Sequence, residues 1–94
     1  MSLRLTVHFK IKEGKGAEFE SAVGDAATQV KAEDKGCEAY DLFKSVDDDT
    51  RYALIESWAT QEDIDAHGKS PGMAKMMKIG PLMDGPPKMH RYSD

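Results

Sequence analysis

Four residues of this 94-residue chain have side chains and spacing suited to proton chemistry on a small organic molecule: Tyr40, Glu56, Trp58 and His67. Imidazole takes up a phenolic or enolic proton near neutral pH, which makes His67 the candidate general base. Glu56 and Trp58 alternate within Leu54-Ile55-Glu56-Ser57-Trp58, so in an extended segment they share a face. An acid facing inward needs a partner or a raised pKa, and Tyr40 or His67 is the expected partner. Trp58 offers a flat ring for stacking and an N–H for a ligand oxygen. Each residue also has a plainer reading: Trp58 as core packing, Glu56 as a structural hydrogen bond to backbone or tyrosine, His67 as a boundary histidine with one edge in water. Met73, Met76, Met77 and Met83 read first as core filler, and they also suit a pliable pocket wall.

The elements that must position these groups are visible in the hydrophobic periodicity. Leu3, Leu5, Val7, Phe9 and Ile11 alternate with Arg4, Thr6, His8 and Lys10, the pattern of a strand with one buried face. After Gly14 and Gly16, the apolar residues Phe19, Ala22, Val23, Ala26, Ala27 and Val30 keep helical spacing, predicting a long helix over Ala17 to Asp34 that stops at Lys35-Gly36. Cys37 to Ser45 and Arg51 to Ala59 are extended candidates, joined by the acidic loop Val46 to Thr50, and they predict a hairpin. Thr60 with Asp63, and Ser70 with Pro71, are two helix starts separated by Gly68. Gly80-Pro81 ends the second helix, Asp84-Gly85-Pro86-Pro87 turns the chain, and Lys88 to Tyr92 reads as a last strand.

The order β-α-β-β-α-β within one domain spanning residues 1–94 predicts an α+β, ferredoxin-like sandwich with its helices on one face of an antiparallel sheet. A five-residue hairpin loop sets Tyr40 opposite Glu56 and Leu42 opposite Leu54. A slip of one residue would send Tyr40 to the other face. In that register Tyr40, Glu56 and Trp58 point toward the helices, where Ile64, His67, Met73, Met76 and Met77 close an apolar chamber floored by Leu5, Val7 and Phe9. The strand Arg51 to Ala59 is apolar on both sides, with Ala53 and Ile55 turned away from the helices, so a second subunit packed sheet against sheet is expected. The alternative is a modest apolar surface patch.

Composition narrows the function. A net charge of −4 and an acidic pI near 5.3 supply no basic field for phosphates, which argues against nucleic acid and anionic membrane as partners and for a small neutral or aromatic ligand. Cys37 is the only cysteine, so no intrachain disulfide or cysteine-based zinc set forms, and a reducing cytoplasm is the default expectation. Met1 to Lys10 alternates and lacks the continuous apolar run of a signal peptide or membrane span. Gly14-x-Gly16 lacks the third glycine of a dinucleotide fingerprint, and His8, His67 and His90 have no metal-ligand spacing. Neither a nucleotide cofactor nor a metal is expected. Asp47-Asp48-Asp49 reads as a solvated loop.

Gly36-Cys37 with Tyr40, then Ile55-Glu56-x-Trp58, Ala66-His67, Ser70-Pro71 and Met73, taken together, resemble the antibiotic biosynthesis monooxygenase family, nearest its quinol monooxygenase branch. Pro81-Leu82-Met83 and Gly85-Pro86-Pro87 are also similar to the anthrone monooxygenase and phospho-autoinducer isomerase branches. The resemblance implies a dimeric α+β barrel, a homodimer joined through sheet faces, and a pocket between sheet and helices in each subunit. It implies oxidation of a phenolic substrate by dioxygen without metal, flavin or haem. It also implies roles: His67 as base, Glu56 as its electrostatic partner, Trp58 as stacking platform and Tyr40 as donor to the developing oxyanion; the chamber set by the register makes Val7, Phe9, Ile64, Met73, Met76 and Met77 the expected substrate contacts.

The departures from the family pattern limit that carry-over. The chain has no asparagine. Val7 stands where the haem-degrading branch carries one, and Met77 stands near that branch's iron-binding histidine, so haem breakdown is not expected. Leu54, Ile64 and Met76 fall near the anthrone branch's pocket Asn, Tyr and Arg, and Gly72 replaces a second histidine of the quinol branch. Two other functions use the same residues: proton transfer or isomerisation on a small hydroxyketone, and ligand binding by a non-catalytic dimeric domain.

Overall fold

The computed structural model describes residues 2–94; Met1, the start of the alternating segment, lies outside the described residues. The elements follow in the expected order: β1 (Leu3–Lys10), α1 (Gly16–Glu33), β2 (Cys37–Lys44), β3 (Arg51–Trp58), α2 (Gln61–His67), α3 (Pro71–Met76), a 3-10 helix (Met77–Leu82) and β4 (Lys88–Ser93). The four strands form one antiparallel sheet in the order β2-β3-β1-β4, the ferredoxin-like arrangement. The second helical segment differs from expectation in one detail. It tightens into 3-10 geometry at Met77 and runs through Gly80-Pro81 as far as Leu82, because Pro81 has no N–H to continue an α-helical ladder.

Core and sheet register follow from the alternation. Leu5, Val7 and Phe9 of β1 are buried, while Arg4, His8 and Lys10 between them are exposed. Phe19, Val23, Ala26 and Val30 form the buried stripe of α1 across this sheet face, with Phe19 edge-on to Phe9 at 5.3 Å and tilted on Tyr52 at 4.8 Å between ring centres. In the hairpin Tyr40 pairs with Glu56 and Leu42 with Leu54, so the register is the one the loop length predicts; a bulge at Glu38 separates Cys37 from Ala39.

The helix starts obey their caps. The Thr60 hydroxyl accepts from Asp63 N–H and the Ser70 hydroxyl from Met73 N–H, each at 3.1 Å. Gly36 has φ of +78°, and a side chain there would overlap the Asp63 carboxylate, so only glycine makes the turn from α1 into β2. The second sheet face is open. It displays Phe43, Ile55 and Tyr92 at 54%, 40% and 56% exposure, with Ala53 half-buried between the first two.

Candidate functional site

A cavity of about 430 Å³ lies between the sheet and the α3 to 3-10 segment. Val7 and Phe9 of β1 and Leu54 of β3 form its floor, Met73, Met76 and Met77 its helical wall, and Pro87 and Met89 its rim on the β4 side. Among the described residues only two polar side chains line it, Tyr40 and Glu56, which the register places side by side on β2 and β3. A larger surface depression between α1 and the 3-10 helix, with Glu18 and Lys78 at its edges, contains none of the candidate residues.

Glu56 is buried, and its carboxylate Oε1 accepts the Trp58 Nε1–H at 2.9 Å. Burial pushes the Glu56 carboxyl above the usual range; the Trp58 bond and the charge of His67 pull the other way without cancelling it. Tyr40 is held well above the usual phenol range, first by burial and then by the neighbouring Glu56 charge, so its hydroxyl stays a hydrogen-bond donor through neutral pH. Among the described residues no protein group hydrogen-bonds to that hydroxyl, which leaves it for whatever enters the chamber.

His67 and Trp58 stand behind this wall. Their rings stack at 4.6 Å with a tilt of 35°, and His67 meets Tyr40 edge-on at 5.4 Å. Trp58 is completely buried, its ring faces are covered, and its N–H is committed to Glu56. A ligand reaches neither the ring nor the N–H in this structure, so the core packing weighed for Trp58 is what is seen. Ile64 also stays outside the lining and packs against the core.

The hydrogen-bond partner of His67 is neither Glu56 nor Tyr40 but Asp34. Its Nδ1–H donates to Asp34 Oδ2 at 2.5 Å, and the two side chains are 3% and 6% exposed. The opposite ring nitrogen, Nε2, is buried with no partner among the described residues. An orphaned buried nitrogen is rare enough to need a reason. Here the carboxylate sets the tautomer and leaves the lone pair on Nε2.

Asp34 is the site residue that the sequence pattern passed over, being read only as the end of a helix. It caps the C-terminus of α1, where its backbone N–H reaches Val30 O and the glycine turn at Gly36 swings the chain back under α2. A signal was available. An acid at the negative end of an 18-residue helix opposes the helix dipole, so a compensating partner was to be expected.

Residues 2–79 match the antibiotic biosynthesis monooxygenase family. A Nitrosomonas europaea structure provisionally named an antibiotic biosynthesis monooxygenase superposes with a TM-score of 0.92 at 24% identity, over 99% of this chain and 89% of that one. A Caulobacter crescentus structure with the same provisional name gives 0.91 at 29% identity, over 97% and 87%. A Bacteroides thetaiotaomicron protein of unknown function, described as a possible oxidoreductase, gives 0.87 at 24% identity, over 97% and 95%. No curated protein matches the chain. No helix among the described residues is long and apolar enough to cross a membrane.

Proposed function

The chain belongs to the antibiotic biosynthesis monooxygenase family, and from that premise we propose that it oxidises a small quinol-like or anthrone-like aromatic molecule with dioxygen, using no cofactor, in the chamber beneath α3. The observation that carries this reading is an apolar chamber whose only polar wall groups are a proton acceptor and a proton donor, Glu56 and Tyr40, side by side. Within the family, Ile55-Glu56-x-Trp58 and Ala66-His67 with Ser70-Pro71 favour the quinol monooxygenase branch.

In this proposal the substrate ring lies on Val7, Phe9 and Leu54 under the methionine wall, with one hydroxyl between Tyr40 and Glu56. Removal of its proton yields an electron-rich anion. The anion gives one electron to dioxygen, the two radicals combine to a carbon-bound peroxide anion that takes back the proton held by Glu56, and the hydroperoxide loses water with the hydrogen on the same carbon to leave a carbonyl. Tyr40 donates to the developing oxyanion, while Asp34 fixes the His67 ring behind Glu56. Trp58 orients the Glu56 carboxylate. The working unit of the proposal is a homodimer joined through the open sheet faces, which covers Ile55 and Phe43.

Dioxygen uptake over a panel of hydroquinones, naphthoquinols and anthrones tests the reading, with Glu56→Gln and His67→Ala run in parallel. The expected result is uptake that falls by about 100-fold or more in Glu56→Gln and by less in His67→Ala. No uptake on any member of the panel, with ligand binding intact, would leave oxygen-independent proton transfer or a binding domain in its place.

A further inference from the structure

We infer that the chamber selects its ligand by charge: Glu56 takes the proton of an uncharged hydroxyarene directly, and an arene bearing a carboxylate, sulfonate or phosphate is refused. This rests on the chamber being the reaction site, and it adds the net charge of the molecule that binds there.

The inventory of the wall supports it. Among the described residues every lining side chain is apolar apart from Tyr40 and Glu56, and no Lys, Arg or His lines the chamber. The groups packed around Glu56 offer no free cation to an anionic ligand. From β2 come Tyr40 and Cys37, one a neutral phenol and the other a thiol whose pKa burial pushes up. From the end of α2 comes His67, closed off from the chamber and bonded to Asp34 at the C-terminus of α1. Arg91, carried on β4, is turned to the Gln61 side chain.

Proton transfer within such a wall conserves charge. Before the step Glu56 is a carboxylate and the ligand is neutral. The ligand O–H bond breaks, an O–H bond forms on Glu56, and the negative charge moves to the ligand oxygen, where Tyr40 donates to it. The chamber carries one negative charge throughout, and none has to be desolvated anew. A ligand that arrives with its own anionic group puts two negative charges in an apolar space, where their repulsion is strongly felt. His67 cannot make the first transfer without moving, since its free nitrogen has no surface on the chamber.

The test is calorimetric binding, under nitrogen, of a naphthol, the matched naphthamide and the matched naphthoate. The amide and the carboxylate have nearly the same shape and differ in charge. At about pH 8 naphthol and naphthamide are expected to bind roughly tenfold or more tightly than naphthoate. The gap should widen as pH rises through the Glu56 titration and narrow to about threefold or less in Glu56→Gln, where the wall charge is gone. Naphthoate binding as well as naphthamide in the native protein would overturn the inference, as would a gap that Glu56→Gln leaves unchanged. Failure of all three to bind would remove the chamber reading along with it. Charge selection without dioxygen uptake on the quinol panel would sink the monooxygenase reading alone, while equal uptake on neutral and carboxylated quinols would sink charge selection alone.

Discussion

The chemistry of single residues here is governed by what each polar atom faces. His67 and Asp34 are both withdrawn from water, so truncating one strands the other. Asp34→Ala is therefore expected to lower stability by about 1–3 kcal/mol, read as a fall in the midpoint of chemical denaturation, with Asp34→Asn costing less because an amide oxygen still accepts from Nδ1–H. Glu56 carries the opposite sign from a salt-bridged acid. Its folded pKa is raised by burial above the unfolded value, so the folded state holds the proton longer. Its contribution to stability is full below the unfolded carboxylate pKa and is lost as pH rises through the raised folded value. Glu56→Gln, which keeps an acceptor for Trp58, should thus gain stability relative to the native protein as pH rises from acid toward neutral, measured by denaturation midpoints across that range. A native-minus-variant difference independent of pH would show that Glu56 is not perturbed. At this scale the sequence was informative about which residues meet on the chamber side: Tyr40, Glu56, Val7, Phe9, Met73, Met76 and Met77 all line it. It was silent about the hydrogen bonds, because the His67 to Asp34 pairing spans 33 positions and depends on how α2 lies against the end of α1.

Elements are held at the spacing their small residues permit. Gly72 on α3 faces Val30 of α1, and a Cβ there would come within 2.5 Å of Val30 Cγ2. The two helices approach too closely there for any side chain. Gly72→Ala is expected to cost about 1–3 kcal/mol by overpacking, and to perturb the chamber through Met73 and Met76 on the same helix. Gly24 is its control. It lies on the exposed side of the same long helix α1, with open space around it, so Gly24→Ala should stabilise by about 0.5–1 kcal/mol. Thermal melts of the two variants should move in opposite directions. Element boundaries were legible because caps and breakers act locally, as Thr60 and Ser70 do through their own hydroxyls.

For the molecule as a whole, a small domain with one covered and one open sheet face has little core to spare. The open face carries Phe43, Ile55 and Tyr92 among polar neighbours, including a His8–His90 ring pair at 5.9 Å. Its burial by a second copy is the proposal that accounts for apolar residues at these positions. Sedimentation equilibrium should give twice the chain mass for the native protein, and Ile55→Lys, which puts a charge in the middle of that face, should shift the equilibrium toward monomer while the far-ultraviolet spectrum stays native. A native protein that sediments as a monomer at all concentrations would remove the sheet-packed dimer.

The sequence by itself determined the order of elements, the buried face of each strand and the hairpin register. All of these are set by periodicity and by loop length between neighbours in the chain. It therefore also determined that Tyr40 and Glu56 would share a face. Only the tertiary structure decided that Trp58 is sealed beneath Glu56, that His67 turns to Asp34, and that no cation reaches the chamber. Those outcomes depend on the packing of α2 and the end of α1 against one another and the sheet, and contacts between segments far apart in the chain leave no periodic trace in it.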